Sequence, residues 1–176
     1  MNSRESEVSK KSPMKKVYDV LPESIRDTVL LRTFGLFKVP LINYVSPKVK
    51  ELSTDRTELV IPLNRRTKNH LNSMYFGVLA VGADCAGGLM AMKLIIDSGK
   101  NVSLAFKEFH AEYLKRAECD THFICTQGQE IKEFVDMVLK SDERHNMPVE
   151  IIATCPKKLG DEVVARFTLT LSLKKK

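Results

Sequence analysis

Apolar residues recur along the chain with different spacings, and each spacing predicts a different kind of element. Between Glu23 and Phe37, the residues Ile25, Val29, Leu30, Thr33, Phe34 and Phe37 return at intervals of three and four. That is the mark of an amphipathic helix, which Pro22 suits as a start and Pro40 stops. Pro47 to Ser53 and Glu58 to Asn64 read as the two strands of a hairpin. Leu71 to Ile96 is apolar almost without interruption, and at this length only a helix fits, from about Tyr75 to Ile96. A helix with no polar face must be wrapped by other structure.

Alternation takes over downstream. Val102, Leu104 and Phe106 alternate with polar residues, and then the phase moves so that Phe109, Ala111 and Tyr113 take the apolar positions. One extra residue near Lys107 or Glu108, a β-bulge, accounts for the shift. A strand over Thr121 to Thr126 is followed by a short inserted helix near 130–141, with Ile131, Phe134, Val135, Val138 and Leu139 as its apolar stripe. The last segment reads as a hairpin: Val149 to Cys155, a turn over Pro156 to Asp161, and Val163 to Leu173, where Val163, Ala165, Phe167, Leu169, Leu171 and Leu173 share one face. The order predicts an α+β fold in which an antiparallel sheet curls around one long central helix.

The 176 residues, 43% hydrophobic and 28% charged, fit one domain over residues 17–173, with residues 1–16 as a flexible basic tail and 174–176 as a basic C-terminal tail. Charge placement decides how the net +6 is read. Residues 1–16 set five cations against Glu5 and Glu7, and Lys174 to Lys176 add three more, so the body between the tails is neutral. Charge confined to two tails predicts solubility and weak, salt-sensitive attraction to polyanions, with no specific nucleic-acid partner. Four cysteines without a C-x-x-C pair and a polar N-terminus predict a reducing, cytoplasmic setting. The four histidines stand at no metal-ligand spacing, so no metal is expected. The long apolar run raises a membrane question, but Asp84 lies near its middle. A carboxylate there costs roughly 2.5 to 3.5 kcal/mol on an insertion scale, so a buried helix is expected and no membrane span.

The segment Asn69-His70-Leu71-Asn72-Ser73-Met74-Tyr75-Phe76-Gly77, followed by Asp84-Cys85-Ala86-Gly87-Gly88, carries a resemblance. It resembles the signature of PaaI-like hotdog-fold acyl-CoA thioesterases and the thioesterase-related families beside them. There, an Asn before the central helix precedes a His-Gly-Gly step at the helix start and an acidic residue two turns into the helix. Tyr113-Leu114-Lys115-Arg116-Ala117 is similar to the end of the family's third strand. The resemblance implies a hotdog fold and hydrolysis of an acyl-CoA or related acyl thioester. Its catalytic set would be Asp84, Asn69 and Gly77, with Tyr75, Phe76 and His70 beside the substrate. It implies no cofactor beyond the CoA moiety of the substrate. It also implies a homodimer or dimer of dimers, each site shared between one subunit's helix start and the other's Asp84.

Two positions depart from the family pattern. Tyr75 stands where the His belongs and Phe76 where the first Gly belongs. Tyr cannot replace His as a proton carrier at neutral pH, though its hydroxyl can donate a hydrogen bond to a thioester carbonyl, and Phe narrows the approach. These departures give the second expectation, a non-catalytic acyl-binding or scaffolding protein. Hotdog dehydratases pair a His with an acid, and the helix-start His is missing here.

The same residues can be read without the family. A helix N-terminus presents unpaired N–H groups, and glycine lets a carbonyl approach them, so Gly77 is a candidate oxyanion donor or a packing residue. Asp84, the one carboxylate in an apolar helix, should have a raised pKa and act as base or nucleophile, or else cross-link structure. Asn69 can orient water or substrate, or shape a turn. The Gly87-Gly88 pair reads as close packing against the sheet. Ser73 lacks a G-x-S-x-G elbow, Cys85 has no positioned His, and no glycine-rich phosphate loop occurs.

Overall fold

Pro22 opens the first helix, α1 (Glu23–Phe37), as expected, but the helix turns the other way round from its stripe. The computed structural model describes residues 22–176, so the tail expected over residues 1–16 lies outside the described residues. In α1 the buried row is Asp27, Leu31 and Gly35, while Ile25, Val29, Phe34 and Phe37 are exposed. The reason is local. Gly35 lets the next helix approach so closely that a Cβ there would lie 2.8 Å from the Asn43 nitrogen. Lys93 Nζ holds Asp27 at 3.2 Å and Glu23 at 3.4 Å, and the Val49 N–H donates to Thr28 Oγ1 at 2.8 Å. Pro40 ends α1 and at once opens α2 (Pro40–Val45), because a proline missing its N–H is as suited to the first helical position as it is unsuited to an interior.

Strands β1 (Lys48–Leu52) and β2 (Thr57–Ile61) form the expected hairpin. The central helix α3 (Phe76–Ser98) follows and stops at Gly99, whose φ of 65° is the left-handed C-cap conformation. Next come β3 (Val102–Tyr113), β4 (Thr121–Cys125), α4 (Gly128–Leu139), β5 (Arg144–Thr154), α5 (Pro156–Leu159) and β6 (Val163–Lys175). All pairings are antiparallel, in the order β1-β2-β4-β5-β6-β3. The bulge in β3 falls between Phe106 and Phe109, where the phase shift put it. Several boundaries differ from expectation, among them the end of β2 at Ile61 rather than Asn64. β5 begins at Arg144 rather than Val149, α5 forms inside the expected turn, and β6 runs on through Lys175. Lys174 and Lys175 are therefore strand residues, opposite Ser103 and Val102, and not a tail.

The sheet wraps α3. By length and a mean hydropathy of 1.6, α3 matches a membrane span, but Gly82 lies under the Phe123 ring of β4 and Gly87 meets Val149 and Ile151 of β5. Eleven α3 residues from Val78 to Ala91 are buried, and with the inward residues of β5 and β6 they form one core. This is the hotdog arrangement of a sheet curled around a helix.

Candidate functional site

The loop before α3 is built by backbone and side-chain hydrogen bonds that fix where the helix begins. Asn69 Oδ1 accepts from the Leu71 N–H at 2.9 Å and the Ser73 N–H at 3.2 Å, and Asn72 adopts a φ of 58° inside that turn. The Met74 N–H donates to the Ala117 carbonyl at 2.7 Å and the Tyr75 N–H to Thr67 at 2.8 Å. The Tyr113-to-Ala117 segment is thus tied to the helix start. Asn69 spends its carbonyl oxygen on the turn, while its amide nitrogen finds no acceptor among the described residues.

At the start of α3 the Val78 and Leu79 N–H groups both return to the Tyr75 carbonyl. The Phe76 and Gly77 N–H groups find no acceptor among the described residues, as the first donors of a helix do not. Aromatic rings crowd this end. Tyr75 and Phe76 lie 4.7 Å apart by ring centroid, and Phe76 meets Tyr113 edge-on at 6.5 Å. A Cβ on Gly77 would fall 2.7 Å from Tyr75 Cε1, so glycine is required for Tyr75 to lie where it does. His70 is exposed on the turn.

Asp84 stands seven residues beyond Gly77 and Gly88 eleven beyond, which at about 100° per residue puts all three within roughly 40° on one face of the helix. That face looks toward β3, with Gly88 beside the Phe106 ring. Between it, β3 and the α1–α2 pair runs a cleft of about 590 Å³ lined by Leu31, Phe34, Ile42, Leu89, Leu104 and Phe106 among others. Asp84 is the only ionisable carboxylate in its lining. The carboxylate has no hydrogen-bond or ion-pair partner among the described residues, and burial pushes its pKa from the ordinary range up to about 6. Burial, reinforced by the Asp84 charge, raises the neighbouring Cys85 thiol well above its usual range, so Cys85 is no thiolate nucleophile. Burial also raises Tyr113.

The chain thus places Asn69, Tyr75, Phe76 and Gly77 together at the helix start and Asp84 apart, about 10 Å further along the axis at 1.5 Å per residue. The α1–α2 wall of the cleft was absent from the sequence reading. Its only signal is the apolar spacing in residues 25–37, which predicts a helix and does not say which side of it is covered.

Residues 28–173 match the model of a family described as Domain of unknown function (DUF4442). No curated protein matches the sequence. Among solved structures, a Pseudomonas aeruginosa protein of unknown function, PA5026, is 21% identical with a TM-score of 0.67, covering 89% of this chain and 97% of its own. A Chlorobaculum tepidum protein of unknown function is 16% identical with a TM-score of 0.72, covering 87% and 97%. A Haemophilus influenzae protein named thioesterase HI1161 is 13% identical with a TM-score of 0.60, covering 81% and 88%. At these identities the likeness establishes the fold.

Proposed function

The chain belongs to the DUF4442 family and has the fold of the hotdog thioesterase superfamily, and from that premise we propose that it hydrolyses an acyl-CoA or related acyl thioester, in the manner of PaaI-like enzymes. One observation carries the reading: a carboxylate with no partner among the described residues and a pKa of about 6, in an otherwise apolar cleft. A buried carboxylate kept for architecture is normally paired or hydrogen-bonded, whereas one held near neutrality and aimed into a cleft suits proton transfer at cellular pH.

Ionised Asp84 takes a proton from water as the hydroxyl adds to the thioester carbonyl, or adds to the carbonyl itself. The Phe76 and Gly77 N–H groups stabilise the oxyanion. The intermediate then collapses, the C–S bond breaks, and the CoA thiolate leaves and takes up a proton; where Asp84 itself has added, water then hydrolyses the acyl–Asp84 anhydride, releasing the carboxylic acid and restoring the carboxylate. The free amide of Asn69 positions the water or the carbonyl, and Tyr75, Phe76 and His70 border the substrate. No cofactor is needed beyond the CoA moiety of the substrate.

A single thioester carbonyl cannot touch both Gly77 and Asp84 of one chain when they lie about 10 Å apart along one helix. The site is completed when the helix start of one copy meets Asp84 of another. The long edge strand β3, paired among the described strands only with β6, is the edge that a second copy can extend. A homodimer or dimer of dimers follows, and the four buried free cysteines support a cytoplasmic home.

The test is thiol release from a panel of acyl-CoAs at several pH values. The expected profile rises with pH through a midpoint of about 6, where Asp84 ionises. A second reading, non-catalytic acyl binding, is favoured by the Tyr75 ring lying over Gly77. Thermal stabilisation by acyl-CoAs with no thiol release decides for it.

A further inference from the structure

Burial in α1 runs along Asp27, Leu31 and Gly35, which leaves the helix's regular apolar stripe facing outward. Ile25, Val29, Phe34 and Phe37 are 45%, 42%, 37% and 75% exposed. The ridge continues around the Pro40 corner through Leu36 at 57%, Leu41 at 54% and Tyr44 at 51%. Single exposed apolar side chains need no explanation, but a contiguous ridge does.

Its charge surroundings are one-sided beyond the first turn of α1, where Glu23 and Asp27 pair with Lys93. From Thr28 to Lys50 the chain holds Arg32, Lys38, Lys48 and Lys50 and no carboxylate, and from Pro62 to Asn72 it holds Arg65, Arg66 and Lys68, again with none. Arg66 reaches the ridge itself, its guanidinium 5.5 Å over the Tyr44 ring. The neutral body conceals a local excess of cations in the segment that forms this apolar surface and in the one that meets it through Arg66.

We propose that the α1–α2 ridge docks on an anionic lipid surface, its apolar side chains entering the headgroup boundary while the cations sit at phosphate level. Exposed apolar side chains with Lys38 and Arg66 among them suit the boundary of an anionic bilayer. A second copy of this chain is the poorer occupant, because a two-fold contact sets each patch against itself and would bring cations face to face, while the carboxylates of α1, Glu23 and Asp27, are already paired with Lys93. Phe34 and Val39 belong both to the ridge and to the lining of the cleft, so the two apolar surfaces are continuous and an acyl chain can pass from a bilayer to Asp84 without crossing water. Docking itself does not depend on hydrolysis, and its test does not read turnover.

The full chain is sedimented with phosphatidylcholine vesicles with and without phosphatidylserine, at low and high salt, with light scattering for oligomeric state and a melting curve for each variant. The expected result is partition onto the phosphatidylserine vesicles that weakens with salt. Phe37→Glu should reduce it by about tenfold or more, and Lys38→Ala by roughly fivefold, with particle size and melting temperature unchanged. Three results overturn the proposal. One is no partition onto anionic vesicles. Another is partition unaffected by Phe37→Glu, which assigns binding to the basic N-terminus alone. The third is a smaller particle for Phe37→Glu, which makes the ridge a contact between copies of this chain.

Discussion

The two faces of α3 are made of the same small residues and differ in what stands opposite them. On one face Gly82 lies so near Phe123 that an added Cβ would fall 2.3 Å from the ring, and Phe123 is fully buried. On the other face Gly88 would place a Cβ at 3.4 Å from Phe106, an ordinary contact, and Asp84 lines the cleft. Glycine on the first face permits contact and on the second leaves room. The same helix can therefore be the centre of the core and the floor of a site.

The comparison breaks most visibly if the open face carries no chemistry. Asp84→Asn keeps the shape and removes the basicity, so thiol release should fall by roughly 10² to 10⁴ while acyl-CoA binding is retained. Rate and melting curve measured on one sample check it, and full activity in the folded variant ends the mechanism. On the packed face Gly82→Ala should destabilise by about 3 kcal/mol or more, because the added methyl would overlap the fully buried Phe123 ring. Chemical denaturation measures this, and a loss below about 1 kcal/mol would mean the faces are alike.

A third effect separates the faces by pH. The folded-state pKa of Asp84, about 6, lies above its ordinary 3.8, so the folded protein holds this proton more tightly than the unfolded chain does. Stability is then undiminished at pH values below the ordinary carboxylate pKa and falls as pH rises toward 6, by on the order of 3 kcal/mol in all. Asp84→Asn should remove that fall, making the variant more stable than the parent at pH 8. An architectural carboxylate held by donors predicts the opposite sign. The smallest effect belongs to Gly88→Ala, which should change stability by less than about 0.5 kcal/mol; the same denaturation series reads it.

Legibility followed the range of the interactions. The β3 bulge was visible because alternation records which face each residue takes, and a phase change between Phe106 and Phe109 has few other causes. The burial of α3 was visible because an all-apolar helix has only one soluble environment. Local chemistry was harder where one residue serves two uses. Pro40 was read as a stop when it is also the first residue of α2, and Asn69 could not be divided between its turn and its free amide until hydrogen bonds were assigned. The cleft was invisible because its walls come from residues 31–42 and 84–106, which meet only through tertiary packing. The outward turn of α1 was likewise fixed by Gly35 and the Lys93 ion pairs, which no periodicity records.

The sheet order has a consequence for how the chain is made. Among the described strands β3 pairs only with β6, across sequence gaps of 52 residues (Tyr113 to Ala165) to 73 (Val102 to Lys175). At a synthesis rate of about 5 to 20 residues per second, β3 waits on the order of 3 to 15 seconds for its partner. During that interval α3 has left the ribosome while the far side of its wrapping does not yet exist. The most apolar segment of the protein is thus also one that a growing chain must hold longest in company other than its own, and β6 is the strand whose arrival ends that exposure.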